Sequence, residues 1–228
     1  LNSLEKLSDW VLRYHPQEIL VSAKEEEAAW LQKIKKTLPR ATISMRTEIW
    51  TGGVLEAAWL YLKENLKISS PEKLFQCFPL EEESYMGLDA TTLESLEILK
   101  SQSEMGDDSS LLATLDYCLT PMGRRTLKDW LSRPLMSLKD IEKRHGAVSS
   151  LVNHPSLYKK LDSEISQMRD LERLTTKSVL GLSLPRDLVA IREVLKRIPQ
   201  VKEVLSESDS EILQDFHAQL HELRELLQ

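Results

Sequence analysis

The chain has 228 residues, 41% of them hydrophobic and 29% charged, with 7 Gly, 9 Pro and 2 Cys. This composition excludes a disordered chain and a disulfide-stapled scaffold, and apolar runs of only a few residues exclude a bilayer-spanning helix. Thirty bases against 36 acids give a net charge of −6, which argues against a dedicated nucleic-acid domain with a basic face.

The start, Leu1-Asn2-Ser3-Leu4-Glu5-Lys6, has no basic stretch followed by an apolar one. A reducing, cytoplasmic setting with no membrane partner is therefore expected. Leu4, Leu7 and Leu12, with Val11 beside them, form a helical stripe that His15-Pro16 breaks. Glu18-Ile19-Leu20-Val21 reads as a short strand. A charged helix over about 25–38 follows, with Ala28, Leu31, Ile34 and Leu38 on one side and Pro39 as its stop. Ala41–Ile43 is a second, weaker strand. Such alternation predicts part of a parallel sheet. Gly52-Gly53 punctuates the chain, a helix of about 54–67 follows, and Ser69-Ser70-Pro71 is another break.

Beyond it, apart from a short extended piece near Phe75–Phe78, the pattern is helical, so strands are expected only before about residue 50. Asp89 precedes a helix with the stripe Leu93, Leu96 and Leu99 and Ile98 flanking; Met105–Ser110 is a polar loop, and Leu111, Leu112 and Leu115 begin the next element. Thr120-Pro121 predicts a capped helix start, with Leu127, Trp130 and Leu131 as the apolar face and Arg133-Pro134 as the end. Trp130 and Leu127 are expected to be mostly buried, Trp130→Ala costing about 3–5 kcal/mol. Gly123, four residues before Leu127, would leave room for another backbone. Ser137 and Asp140 form a capping-box-like pair opening a helix with Leu138, Ile141, Val148 and Val152 on one face; His145 on that face reads as half-buried, without ligand partners. After Pro155 comes the stripe Leu157, Leu161, Ile165 and Met168. Pro185 starts a helix carrying Leu188, Ile191, Leu195 and Ile198. Ser208 with Glu211 opens the last one, with Ile212, Phe216, Leu220, Leu223 and Leu227.

Chemistry-bearing motifs are sparse. Gly52-Gly53 is too short to cradle a phosphate, Cys77 and Cys118 lack zinc spacing and local His, and Glu81-Glu82-Glu83 is a polar run. Cys118 reads as a small buried apolar side chain. His217 and His221 are spaced as ligands on one helical face, yet two histidines on an exposed helix usually remain solvated. No catalytic, cofactor-binding or metal-ligating residue is therefore assigned. Charge is uneven: residues 81–120 carry one base against ten acids, and residues 121–160 nine bases against three acids. Helical faces that attract each other or are simply solvated explain this asymmetry better than a partner surface does. Arg124, Arg125 and Lys128 are expected to pair with the acidic segment, and Asp170 with Arg173, and Asp187 just after Arg186, to link helices.

Three runs together resemble the MutS family of DNA mismatch repair proteins. Met86–Glu97 (MGLDATTLESLE) resembles that family's "LDaaTxxnLEl" run, with Ser95 in place of the usual Asn; Thr120–Leu135 (TPMGRRTLKDWLSRPL) resembles "TPMGxRxLkxWLxxPL". Asp170–Leu174, with Gly181 and Pro185–Leu188, resembles "DLERLxxrxxxGxxxPRDL". The resemblance implies a mainly α fold: a helical core or lever domain over 69–228, ending before the clamp domain. A linking helix over 51–68 and the C-terminal part of an α/β, RNase H-like connector over 1–50 precede it. The start at Leu1 without Met and the end at Gln228 inside an apolar pattern fit a piece of something longer. By the resemblance, the parent protein binds mismatched double-stranded DNA with a second MutS subunit and docks a MutL-type protein. It couples recognition to hydrolysis of ATP with Mg, in an ATPase domain that has no counterpart in these residues. This chain's expected role is then mechanical rather than enzymatic, with weak DNA binding or none of its own. The alternative is a helical interaction module docking a MutL-type partner without DNA contact.

Overall fold

A computed structural model describes residues 16–22, 29–37, 41–46, 53–66, 70, 84–102, 109–223 and 225. The stripe Leu4–Leu12, the helix start before Ala29, the piece near Phe75–Phe78, Cys77, Glu81–Glu83, the loop residues 103–108 and Leu227 lie outside the described residues. The chain divides into two compact units: Leu1–Cys77 with Leu88–Glu97, and Phe78–Gly87 with Ile98–Gln228.

In the first unit, β1 (Glu18–Ser22), α1 (Ala29–Thr37), β2 (Thr42–Arg46), α2 (Gly53–Leu66) and α3 (Ala90–Ser95) follow in order. The strands pair in parallel with Glu18 opposite Thr42 and Ser22 opposite Arg46, the expected arrangement. Parallel strands need a crossover, and α1 supplies it. Val21, Leu31, Ile34 and Ala57 are buried, as is Leu93 of α3. The Glu18 carboxylate accepts from the Ser44 and Tyr61 hydroxyls, and Arg46 pairs with Glu64 at 2.8 Å, so α2 is tied to both strands. Asp89 caps α3 by accepting from the Thr92 N–H at 2.7 Å. That helix is shorter than its apolar stripe suggests. Glu97 adopts φ 49°, a left-handed conformation that cannot continue a helix, and Leu96 is 62% exposed.

The second unit is helical: α4 (Leu111–Leu115), α5 (Pro121–Ser132), α6 (Leu138–Asn153), α7 (Pro155–Ile165), α8 (Leu171–Val179), α9 (Pro185–Leu195), α10 (Ile198–Ser206) and α11 (Glu211–Gln219). Its one β feature among the described residues is an antiparallel bridge between Tyr85 and Leu135. The core gathers Leu157 and Leu161 of α7, Val201, Val204 and Leu205 of α10, and Leu213 of α11. Ala147, Leu151, Ile165, Met168 and Leu220 pack against it. The stripe of α7 is thus where the sequence puts it.

Three helices differ from expectation. The periodicity through Ile198 is interrupted after Leu195, because Pro199 has no N–H to give the carbonyl four residues back; α10 starts afresh there, with Val201, Val204 and Leu205 inward. The last helix ends at Gln219, buries Leu213 and leaves Phe216 51% exposed. Its cap also shifts: Ser210 is the N-cap, while the Ser208 hydroxyl accepts from the Ser210 N–H at 3.1 Å. On α6 the expected apolar face is turned outward. Leu138, Val148 and Val152 are 68%, 60% and 69% exposed and His145 is exposed, while Ala147 and Leu151 on the opposite side meet the core.

Candidate functional site

The basic stretch 121–160 rides on α5, α6 and α7. The Thr120 hydroxyl accepts from the Gly123 N–H at 3.1 Å, and Pro121 fills the first helical position, so α5 starts where the sequence predicts. A Cβ on Gly123 would lie 3.3 Å from that hydroxyl and 3.6 Å from Cys118 Cβ. The glycine therefore makes space for its own cap and for Cys118 rather than for another backbone. Cys118 is half-buried; burial first, and Asp116 second, push its thiol pKa up, which keeps it from being a reactive thiolate.

Most bases of the stretch are used inside the molecule. Arg124 pairs with Asp116, the one expected partner in the acidic segment that it finds. Arg125 instead reaches α8, where both its terminal nitrogens donate to Asp170 at 2.8 Å and its Nε donates to Glu172 at 3.1 Å. Arg133 pairs with Asp129 and lies 4.9 Å from the Tyr85 ring centroid. Lys143 meets Glu211 at 2.6 Å and Lys160 meets Glu207 at 2.7 Å, fastening α6 and α7 to the α10–α11 corner. Arg144 sits 3.7 Å above the Trp130 ring. Trp130 itself is 44% exposed, so the expectation of a mostly buried indole is corrected. The ring is covered by a guanidinium instead of by a helix. Leu127 and Leu131 are half-buried. Lys128, expected to pair with the acidic segment, has no partner among the described residues.

A hydroxyl network that carries no sequence signal lies nearby. Buried Ser150 donates to Asp209 at 2.7 Å and lies 3.3 Å from the Ser208 hydroxyl. The Ser150 bond holds the Asp209 carboxyl below its ordinary pKa. An open cleft of about 510 Å³ runs beside it, but its lining mixes Lys139 and Lys143 with Glu142, Asp209 and Glu211 and has no net chemical preference.

A second cleft, of about 250 Å³, is lined by Arg169, Asp170, Arg173, Leu174, Lys177 and Asp187. Asp170 caps α8, accepting from the Arg173 N–H at 3.2 Å, and the Arg125 bonds with this cap hold its pKa low. Asp187 accepts from Lys177 Nζ at 2.7 Å and from the Leu184 N–H at 3.0 Å, which lowers its pKa too. Both carboxylates link helices, joining α5 to α8 and α8 to α9, but through Arg125 and Lys177; Arg173 gives Asp170 only its backbone N–H. Between these helices Gly181 takes φ 68°, and the Gly181 and Leu182 N–H groups donate back to Ser178 and Lys177. That paired-bond helix end requires the left-handed region that glycine enters without steric cost.

His217 lies in α11 and His221 beyond its end, so they do not share a helical face. Among the described residues, no cluster of three His, Cys, Asp or Glu is placed to hold a metal, and no helix is long and apolar enough to cross a membrane.

The family model for MutS domain III matches residues 91–228. The DNA mismatch repair protein MutS of Caldanaerobacter subterraneus subsp. tengcongensis is 37% identical over 172 residues, covering 75% of this chain and 20% of that protein. MutS of Methanosarcina barkeri is 42% identical over 143 residues, covering 62% of this chain and 16% of its own. MutS of Caldicellulosiruptor bescii is 30% identical over 241 residues, 98% of this chain and 28% of its own. The chain thus spans about a fifth of the length of the curated relatives it matches.

Proposed function

This chain belongs to the MutS family, and we propose that it is the helical core of a longer DNA mismatch repair protein, transmitting mismatched-DNA binding to an ATPase domain. The match of domain III to residues 91–228 carries this reading. The chemistry agrees with a structural role. Bases on α5, α6 and α7 meet carboxylates at the start of α8, in α11 and at the end of α10, which ties helices distant in sequence to one another. In the same proposal, residues 1–50 are the end of the connector, 51–68 the linking helix and 69–228 the core. The full-length protein works in the cytoplasm on mismatched duplex DNA, with a second MutS subunit and a MutL-type protein, and binds ATP and Mg outside these residues.

A chimera tests it. Residues 91–228 replace the matching segment of a full-length relative, and ATP hydrolysis is measured with G·T and G·C duplexes. A mismatch response close to that of the relative is expected, and a Leu161→Ala chimera should lose the response before it loses basal hydrolysis. A folded chimera with basal hydrolysis but no mismatch response would refute the coupling role and favour a docking module. The 228-residue chain alone should release no phosphate from ATP and treat both duplexes alike. Its Kd should be weaker than about 10⁻⁶ M at physiological salt.

A further inference from the structure

We propose that the cleft between α8 and α9 is a binding site for phosphoryl groups, with Arg169 and Arg173 as its ligands. Arg169 stands directly before the capping Asp170, and Arg173 and Lys177 follow on successive turns of α8. All three line the cleft. Its two carboxylates are already engaged: Asp170 accepts from both terminal nitrogens of Arg125, and Asp187 from Lys177 and the Leu184 N–H. The guanidinium groups of Arg169 and Arg173 have no acceptor among the described residues, and both side chains are exposed. Arg186, beside Asp187, is a third exposed guanidinium; its charge helps to hold the Asp187 pKa low.

This is the reverse of the basic stretch on α5–α7, where charge is concentrated in sequence and largely consumed in space. At the cleft the charges look balanced in sequence, yet the acids are spent on internal cations and two planar forks remain. A guanidinium presents paired N–H donors that match two oxygens of a tetrahedral phosphate, and a carboxylate-walled cleft accepts that group only when its carboxylates are paired, as Asp187 is with Lys177 and Asp170 is with Arg125, a cation that it shares with Glu172. The volume of about 250 Å³ suits one or two phosphoryl groups and not a nucleoside triphosphate sealed from water. The phosphate can come from a DNA backbone or from a free phosphate compound. Choosing DNA rests on the repair reading above; the chemistry of the cleft does not.

Two probes separate these sources: a short fluorescein-labelled duplex followed by anisotropy, and inorganic tripolyphosphate followed by the rise in melting temperature. Arg169→Ala/Arg173→Ala is compared with Lys139→Ala/Lys159→Ala, which removes the same charge elsewhere. For duplex binding measured between about 50 and about 200 mM salt, the cleft variant should lower the slope of log K against log salt by about 2 and weaken binding about tenfold at the lower salt. The control variant should keep both near the parent values. Tripolyphosphate should raise the melting temperature of the parent chain and of the control, and not that of the cleft variant. If only tripolyphosphate responds to the cleft substitutions, the site stands and its ligand is a free phosphate compound. If neither probe distinguishes the cleft variant from the parent, or if the control loses as much, the proposal is overturned. None of these outcomes depends on the ATPase response of the chimera, which judges the repair reading separately.

Discussion

Asp170 receives hydrogen bonds from two directions. From its own helix comes the Arg173 N–H, and from α5 come two nitrogens of Arg125. Its side chain is 17% exposed, whereas that of Arg125 is 48% exposed. The cap bond is therefore the more valuable of the two, since solvent screens the ion pair. Losing an N-cap costs about 0.5–2 kcal/mol, and a half-exposed pair adds about 0–1 kcal/mol. Asp170→Ala should then destabilise the chain by about 0.5–3 kcal/mol, and Asp170→Asn, which keeps a capping oxygen, by less than half as much. Urea titration of the three proteins checks the order. An Asn variant as unstable as the Ala variant would show that the charge, and not the cap, dominates. The motif that contains Asp170 is thus explained by chain geometry: one carboxylate starts α8 and positions it against α5.

Elements were legible in the sequence wherever a local signal decides them. Thr120 and Pro121 start α5, Pro185 starts α9, and the β-prone runs before residue 50 pair in parallel, because caps, prolines and β-branched runs act over a few residues. Which side of a helix is covered was less legible. The row Leu138, Ile141, His145, Val148 and Val152 is apolar at helical spacing, yet much of it faces outward while Ala147 and Leu151 meet the core. Periodicity identifies a face that avoids water and is silent on what meets it. The bidentate grip of Arg125 and the spent carboxylates of the second cleft were illegible for a related reason, since their partners lie 45 or more positions away or on another helix. The same contrast yields a prediction. Leu161 is 7% exposed in the core, whereas Trp130 is 44% exposed under Arg144. Leu161→Ala should cost about 2–5 kcal/mol from lost burial and a cavity. Trp130→Ala should cost about 1–2 kcal/mol, from a cation–π contact and partial burial. Thermal melts of both variants decide it; a Trp130 variant at least as unstable as the Leu161 variant would place the indole in the core after all.

At the scale of the molecule, the helical unit is held by one inner cluster and by charges that bridge its helices. Asp170, Asp187, Glu193 and Asp209 all have pKa values below the ordinary carboxylate range, chiefly through side-chain hydrogen bonds from Arg125, Lys177, Lys196 and Ser150 in turn. A carboxylate whose folded-state pKa is depressed favours the fold while it is ionised. Its contribution is complete above the unfolded value, about 3.9 for Asp and 4.3 for Glu, and is lost as pH falls through the lower folded value. The melting temperature should therefore be level from about pH 7 to about pH 5 and fall below about pH 4. Protonation elsewhere also makes the chain net positive, and that repulsion destabilises it over the same range. Asp170→Asn/Asp187→Asn separates the two effects, because it removes two of the depressed groups and leaves the acid-state charge nearly unchanged. This variant should start from a lower melting temperature at pH 7 and approach the parent as pH falls below about 4, where the parent's own carboxylates are protonated. Parallel curves, with the difference at neutral pH persisting into acid, would mean that these two carboxylates act through their shape and not through their charge. Added salt supplies the second reading. It should narrow the neutral-pH difference, since the cations of both pairs, Arg125 and Lys177, are 48% and 38% exposed and open to screening, and leave the part that comes from the cap bonds.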